Sequence, residues 1–378
     1  MRILVTTGPM VGHFYPMVPL SWALRTQGHH VLVATPDYFA PAVVACGFPV
    51  VGLPSIDIAQ AMSRDRQGNP VPADYYEPAR MRRSGRGWGR LAADGLDGVR
   101  RVIAEWQPQC VLSDPMEMAG RLAAAEREVP WVEHGWGVRP SPYFEEAAAA
   151  ELVPELRRLG LDRLPRPGVT LDVCPPGFDV PAAVPGRPMR YVPFSGPAER
   201  PRRYADGRPL IFLTFGTLLP RANPEQALGL LEALMRELTA GGLDFLVGID
   251  PDLVAGMRPF PSGARAVGRI PLDQALSECA AVVHYGNSGA MMTALAHGVP
   301  QVVLAAPVAD APDNAERVAA SGAGIRIGAG EVTAAGVREA CLRVISEPEY
   351  RDRSRALAAA MRGLPSPAEI ARRSAELV

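Results

Sequence analysis

Residues 280–318 read AAVVHYGNSGAMMTALAHGVPQVVLAAPVADAPDNAERV. This pattern predicts two consecutive units of strand, loop and helix, because two apolar runs each end in small or turn-forming residues before a helical pattern begins. The first helix is expected from about Ala290 to His297, and the second is expected to begin near Asn314. A loop of small residues that leads into a helix offers free backbone N–H groups and a positive dipole end. The stretch therefore predicts a site that binds a diphosphate without a metal.

The same alternation of strands and helices begins twice along the chain. Arg2–Thr7 is an apolar strand followed by the glycine loop Gly8–His13, and Pro209–Thr214 is a second such strand followed by Phe215–Thr217. Strands that alternate with helices predict parallel sheets covered by helices on both faces. We therefore expect an α/β protein with two Rossmann-like doubly wound domains, which bind ligands at the C-terminal strand ends in the cleft between them.

The expected domains span residues 1–200 and 201–378. Their boundary is placed within Pro197–Gly207, where proline, arginine and glycine cluster and the periodicity is lost. Residues 365–378 are expected to form a helix that packs back on the first domain. The irregular region Asp57–Arg90 ends in an arginine-rich patch, for which a solvated surface and a mobile lid both remain open.

Composition excludes several classes of protein. The chain has 378 residues, 48% of them hydrophobic, which is enough for two domains, and its net charge of -1 argues against nucleic acid as a partner. No apolar run reaches the roughly 20 residues of a membrane span, and no signal peptide is apparent, so we expect a soluble cytoplasmic protein. The five cysteines are scattered without a CxxC pair, which predicts free thiols and no metal site.

Two common nucleotide-binding motifs are absent. All 39 basic residues are arginine, so a P-loop lysine and Schiff-base chemistry are both excluded. A dinucleotide site would need the spacing G-x-G-x-x-G after the first strand, and Gly8-Pro9-Met10-Val11-Gly12-His13 does not provide it. What remains is a phosphate site in the second half and a histidine at the equivalent place in the first.

Several motifs resemble those of one family. They are GHFYP from Gly12, RYVPF from Arg190, TFGT from Thr214 and the long motif from His284 onward. Together they look like the GT-B glycosyltransferases of family 1 that tailor bacterial antibiotics and other natural products. The resemblance covers nearly the whole chain. It implies an inverting, metal-independent enzyme that moves a sugar, often a TDP-deoxysugar, to a natural-product aglycone, with the nucleotide sugar as co-substrate and no cofactor.

The resemblance also implies roles for individual residues. The first domain would bind the acceptor, with His13 as general base and Asp114 as the carboxylate that orients it. The second domain would bind the nucleotide sugar, with His284 in contact with the diphosphate. The other donor-binding residues would be Gly216, Thr217, Ile270, Asn287, Ser288, Gly289, Ala290 and Asp310.

The proposed chemistry is consistent with these residue types. A histidine that titrates near neutrality suits removal of a proton from an acceptor hydroxyl, and a paired carboxylate fixes its tautomer. Residues that follow strand ends in the first half further predict an apolar acceptor pocket. The residues assigned to it are Met10, Phe14, Met116, His134 and Trp136.

Two positions depart from the family pattern. Ala290 stands where a threonine is usual, and Ala311 where a glutamine usually follows Asp310. Both changes remove a side-chain hydrogen bond, which a deoxysugar would tolerate better than glucose would. A sugar-nucleotide epimerase and a non-catalytic nucleotide-binding protein remain alternatives. The sequence leaves open the acceptor, the sugar, TDP against UDP, the linkage and the oligomeric state, a homodimer included.

Overall fold

The computed structural model describes residues 1–72, 79–178, 185–198, 204, 207–216, 224–257 and 259–377. They form two compact units. The first contains Met1–Cys174, Asp179–Phe194 and Leu364–Val378, and the second contains Pro175–Phe178 and Ser195–Gly363. The chain thus passes from the first unit to the second after Phe194, slightly before the boundary expected at residue 200. The predicted linker Pro197–Gly207 falls largely outside the described residues.

The first unit is a parallel sheet with helices around it. Its described strands are β1 (Arg2–Thr6), β2 (His30–Pro36), β3 (Val50–Leu53), β4 (Cys110–Ser113), β5 (Trp131–His134), β6 (Val169–Asp172) and β7 (Arg187–Pro188). Its helices up to residue 158 are α1 (Val11–Phe14), α2 (Val18–Thr26), α3 (Ala40–Ala45), α4 (Ile58–Ser63), α5 (Ala79–Trp106), α6 (Met118–Glu126), α7 (Pro142–Glu151) and α8 (Val153–Arg158). The strand order is β3-β2-β1-β4-β5-β6-β7.

The second unit repeats this architecture. Its described strands are β8 (Leu210–Thr214), β9 (Asp244–Gly248), β10 (Ala264–Gly268), β11 (Ala281–His284), β12 (Gln301–Ala305) and β13 (Gly324–Gly328). Its described α-helices are α9 (Pro224–Ala240), α10 (Leu272–Ala275), α11 (Ser288–His297), α12 (Ala311–Ala320), α13 (Ala334–Ser346) and α14 (Pro348–Arg362). The strand order is β10-β9-β8-β11-β12-β13. The predicted α/β class with two doubly wound sheets is confirmed.

The strand order locates the ligand sites. In each sheet the order reverses beside the first strand, between β1 and β4 in one unit and between β8 and β11 in the other. At such a switch point the connections leave in opposite directions and open a crevice beyond the carboxyl ends of the strands. His13 and Asp114 follow β1 and β4, whereas Gly216 follows β8 and His284 ends β11.

The region 57–90 is more regular than its sequence predicts. Residues from Ala79 onward belong to the 28-residue helix α5, and α4 occupies Ile58–Ser63. The interpretation of the arginine patch as a solvated surface is corrected in part, because Arg80 and Arg90 are buried. A mobile lid stays a prediction. Arg90 donates to the carbonyl of Ala61 and to Glu151, so it joins elements of the first unit.

The last residues of the chain lie in the first unit. Helix α15 (Pro367–Arg372) begins with a capping box in which Ser366 and Glu369 exchange hydrogen bonds. The backbone N–H of Arg190 donates to the carbonyl of Pro365 at 2.8 Å, and the His29 ring bonds the Ser374 hydroxyl at 2.9 Å. Within the described parts of the chain, no helix combines the length and the apolar character that crossing a membrane requires.

Candidate active site

His13 and Asp114 meet at the switch point of the first sheet. The Nδ1 atom of His13 lies 3.1 Å from Oδ1 of Asp114. The carboxylate side chain is fully buried, while 11% of the histidine side chain is exposed. Since a carboxylate accepts only, Nδ1 is the donor of this pair, so in the neutral ring Nε2 is the acceptor. The structure therefore brings together the two residues that the sequence assigns to catalysis.

Backbone and hydroxyl donors hold Asp114 in place. Its Oδ1 also accepts from the backbone N–H of Met116 at 2.9 Å. Its Oδ2 accepts from the Thr7 hydroxyl at 3.3 Å and from the Gly8 backbone N–H at 3.4 Å. Because a buried charge needs several donors to replace water, this set stabilises the ionised carboxylate and fixes its direction.

Two indole rings enclose the imidazole of His13. Trp88 stacks on it with ring centroids 4.6 Å apart and an angle of 22° between the planes. Trp136 packs against it at 4.5 Å with an angle of 50°. The sequence assigned Trp136 to the acceptor side of this region but gave Trp88 no role.

The other residues predicted to bind the acceptor are mostly buried. Phe14 is buried and packs edge-on against Phe39 and Phe48 in the core. Met116 is also buried, whereas Met10 is half-buried beside this core. Acceptor contacts of these side chains stay predictions.

His134 is buried at the end of β5. Its Nδ1 bonds the carbonyl of Gly135 at 2.7 Å, while its Nε2 has no hydrogen-bond partner among the described residues. Burial lowers the pKa of His134 to about 4, so the ring is neutral at pH 7. The Nε2 atom is therefore a buried acceptor.

His284 lies at the switch point of the second sheet, but it is wholly buried. Its Nδ1 accepts from the backbone N–H of Gly286 at 3.1 Å, and its Nε2 pairs with Oε1 of Gln301 at 2.8 Å. Burial lowers the pKa of His284 to about 4, which makes the ring neutral at pH 7. Both ring nitrogens are thus engaged within the protein, and the predicted direct contact with a diphosphate would require the ring to release one of them.

The loop after β11 leads into α11 as the sequence predicts. Asn287 is the N-cap residue, but its side chain makes no capping hydrogen bond. The backbone N–H groups of Ser288, Gly289 and Ala290 belong to the first turn, where no intrahelical acceptor exists. The start of this ten-residue helix therefore offers several donors and the positive end of its dipole to an anion.

A hydrogen-bonded network joins this loop to α12. The Ser288 hydroxyl donates to the carboxylate of Asp310. The amide of Asn314 donates to Asp310 Oδ2 at 3.0 Å, to Ser288 Oγ at 3.1 Å and to the carbonyl of Gly286 at 2.8 Å. The structure thus brings Ser288 and Asp310 together and adds Asn314, which the sequence did not single out.

The remaining predicted donor residues lie in the same unit. Gly216 has a φ of +63° and approaches Tyr285 so closely that a Cβ would lie 2.7 Å from its ring, which explains the glycine. Ile270 is half-buried against a small apolar cluster, and Thr217 lies outside the described residues. Ala290 and Ala311 are both buried.

Sequence reasoning missed four residues that shape these sites: Trp88, Glu117, Gln301 and Asn314. Glu117 caps α6 and accepts from the Thr6 hydroxyl at 2.6 Å. Burial raises the pKa of Glu117 to about 7. The sequence did carry one signal, because Asn314 follows Asp310 by four residues and so lies on the same helix face.

Comparison with known proteins identifies the family. The N-terminal domain described as erythromycin biosynthesis protein CIII-like matches residues 22–210, and the corresponding C-terminal domain matches residues 232–377. The chain belongs to the EryCIII-like glycosyltransferases. It is 38% identical to the L-demethylnoviosyl transferase of Streptomyces niveus, with 98% of this chain and 97% of that protein covered. It is 33% identical to the elloramycin glycosyltransferase ElmGT of Streptomyces olivaceus, with 99% and 96% covered.

Solved structures confirm the GT-B fold. The glycosyltransferase SsfS6 of Streptomyces sp. SF2575, complexed with thymidine diphosphate, superposes with a TM-score of 0.88 at 35% identity, with 100% of this chain and 99% of that chain covered. The spinosyn rhamnosyltransferase SpnG, also with thymidine diphosphate, gives 0.85 at 28% identity, with 99% and 100% covered. The chain is a glycosyltransferase, which favours transfer over the epimerase and non-catalytic alternatives.

Proposed function

We propose that this glycosyltransferase moves a deoxysugar from a TDP-linked donor to a hydroxyl of a natural-product aglycone, with inversion at the anomeric carbon. The observation that carries the proposal is the pair of His13 and Asp114 at the switch point of the first sheet. Names of relatives support the donor class, since SsfS6 and SpnG were solved with thymidine diphosphate.

His13 acts as the general base in this proposal. Asp114 holds the proton on Nδ1, so Nε2 takes the proton of the acceptor hydroxyl as the oxygen attacks the anomeric carbon. The carboxylate then stabilises the imidazolium that forms. Attack from the face opposite the diphosphate inverts the configuration. The first unit therefore binds the acceptor.

The second unit binds the donor. The N–H groups of Ser288, Gly289 and Ala290 stabilise the charge that develops on the departing diphosphate, and no divalent metal is needed for that. His284 contributes by fixing the Gly286 N–H, because it is neutral and buried. The alanines at 290 and 311 offer no side-chain hydrogen bond, which suits a sugar with few hydroxyls.

The proposal is tested with TDP-L-rhamnose, TDP-glucose and UDP-glucose against a panel of aromatic and macrolide aglycones. We expect turnover to be fastest with the deoxysugar, and His13→Ala to lower kcat by roughly 10²-fold or more. His30→Ala is the matched control, since that histidine is exposed at the start of β2. A preference for UDP-glucose would contradict the donor assignment, and an unchanged rate in His13→Ala would contradict the general base.

A further inference from the structure

Helix α5 contains the run Ser84-Gly85-Arg86-Gly87-Trp88-Gly89. Glycine is among the least favourable residues in a helix interior, because it loses the most backbone freedom on folding. Three glycines within five positions therefore oppose helix formation here. Tertiary contacts must hold this segment in its helical form.

The glycines allow neighbouring elements to approach the backbone of α5. A Cβ on Gly85 would lie 2.2 Å from the carbonyl oxygen of Phe144 in α7. A Cβ on Gly87 would lie 2.3 Å from the sulfur of Met62 in α4. At Gly85 the neighbouring atom belongs to the backbone, so a side chain there would push the helix outward, whereas at Gly87 it would displace the side chain of Met62. Gly85 therefore sets the depth at which α5 packs.

This depth places the indole of Trp88 directly on His13. The ring centroids are 4.6 Å apart and the planes are nearly parallel, at 22°. On the loop after β1, a Cβ on Gly8 would come within 2.3 Å of the indole, so this loop also keeps a glycine where the ring lies. Gly8 thus leaves room for the indole, and Gly85 lets the helix that carries it pack closely.

The stack supplies a constraint that the hydrogen bond does not. Among the hydrogen bonds of the described residues, the His13 ring takes part through Nδ1 alone, so the orientation of its plane depends also on the rings packed against it. Flat contact with an indole fixes the plane of the ring. An indole face also attracts a cation, so it stabilises the imidazolium more than the neutral imidazole.

We propose that Trp88 is a positioning residue for His13, whose indole face fixes the imidazole plane and stabilises the imidazolium formed when the acceptor proton is taken. This inference rests on the proposed role of His13 as general base. Trp88 acts through His13, so its contribution must vanish when the imidazole is removed.

The test compares Trp88→Phe, which keeps an aromatic face, with Trp88→Leu, which fills space without one. Release of TDP from TDP-L-rhamnose is measured with 7-hydroxycoumarin as acceptor and with water alone. We expect Trp88→Leu to lower kcat about tenfold with little change in KM, and Trp88→Phe to recover most of the loss. Trp22→Leu is the control, because Trp22 is an exposed tryptophan of the same unit.

A double-mutant cycle separates positioning from packing. In the His13→Ala background, adding Trp88→Leu should leave the residual rate unchanged. A further tenfold loss there, or equal losses for Trp88→Phe and Trp88→Leu in the parent enzyme, would overturn the inference. A rise in the KM for the acceptor with kcat unchanged would also overturn it, since that result marks a direct substrate contact.

A spectroscopic readout keeps this inference distinct from the proposed function. The ring protons of His13 should show an upfield ring-current shift in the NMR spectrum that is reduced in Trp88→Leu, where Trp136 alone still packs on the ring, and largely retained in Trp88→Phe. Absence of that shift in the parent enzyme would contradict the stack. If the shift is present but His13→Ala is fully active, the general-base assignment fails and the proposed role of Trp88 fails with it, while the stack itself stands.

Discussion

Nε2 of His284 lies 2.8 Å from Oε1 of Gln301, and both residues are wholly buried. Gln301 is the first residue of β12, the strand beside β11, so its side chain reaches the ring across the sheet. The bond fixes the tautomer in which Nε2 carries the proton and Nδ1 accepts from the Gly286 N–H. A glutamine on one strand thereby sets the direction of an amide in the loop that precedes α11.

Gln301→Leu should weaken the binding of TDP as well as the fold. Without the amide oxygen, the buried Nε2–H of His284 has no acceptor, which costs about 1–3 kcal/mol. We expect the midpoint of thermal unfolding to fall by a few degrees and the Kd for TDP, measured by calorimetry, to rise roughly tenfold.

Gln274→Leu provides the control for this prediction, because Gln274 is exposed on α10 of the same unit. It should leave both quantities unchanged. If Gln301→Leu lowers the unfolding midpoint but TDP binds as before, the His284 ring has no part in arranging the donor loop.

Stability should fall as the pH drops from about 6.5 to about 4, the ordinary and the folded pKa of His284. Burial keeps the ring neutral in the folded protein, while the unfolded chain takes up a proton in this range. The unfolded state then binds more protons, so acid favours unfolding, by up to about 3 kcal/mol for a fully buried ring. His134 has the same pKa and adds a second contribution of this sign.

The measurement is thermal unfolding between pH 7.5 and 4.5 of the parent enzyme and of His284→Gln, which cannot titrate. The variant should show the flatter dependence even if it is less stable at every pH. Glu117 works in the opposite direction, because its raised pKa of about 7 lets the folded state hold a proton that the unfolded state has lost. Equal slopes in both proteins would show that folding does not lower the pKa of His284.

Replacing Asn314, a residue within helix α12, should weaken the binding of TDP. Its amide is the donor in three hydrogen bonds that join α12 to Gly286, Ser288 and Asp310. Asn314→Ala removes all three and leaves the carboxylate of Asp310 with one described donor. We expect the free energy of unfolding to fall by about 1–3 kcal/mol and TDP to bind more weakly. Thermal unfolding with and without the nucleotide measures both effects.

Glu316→Ala is a suitable control for the Asn314 variant. Glu316 lies on the same helix, its side chain is 71% exposed, and its ion pair with Arg326 is long at 3.6 Å. Exposed pairs of this kind contribute little. A TDP-induced shift in Asn314→Ala equal to that of the parent enzyme would show that the network supports the fold alone.

Local sequence pattern was sufficient for much of the fold and for the positions of His13 and Asp114. Both follow strands that are strongly apolar, and the carboxyl ends of adjacent parallel strands meet at one edge of a sheet. The helix after Asn287 was predictable for a similar reason, because small residues, an apolar run and a closing glycine mark its ends. These features depend on neighbours within a few residues.

The burial of His284 could not be predicted from the local sequence pattern. Its partner Gln301 lies on another strand, and which residues meet across two strands is set by register. The position of Trp88 could not be predicted for a different reason. Glycines and arginines around it make the segment look irregular, and only contacts with α4 and α7 explain why it is helical. Tertiary packing overrides local propensity there.

Gly85→Ala should destabilise the enzyme, although the same change normally stabilises a helix. Alanine is favoured over glycine in a helix interior by about 1 kcal/mol. At Gly85, however, the new Cβ would lie 2.2 Å from a backbone oxygen of Phe144, so α5 or α7 must shift. At Gly95 in the same helix nothing lies within 4 Å of the added Cβ, so Gly95→Ala should raise stability by roughly 0.5–1 kcal/mol. In urea unfolding, the free energy of unfolding should therefore fall in Gly85→Ala and rise in Gly95→Ala. If both variants are stabilised, the helix does not pack at this depth.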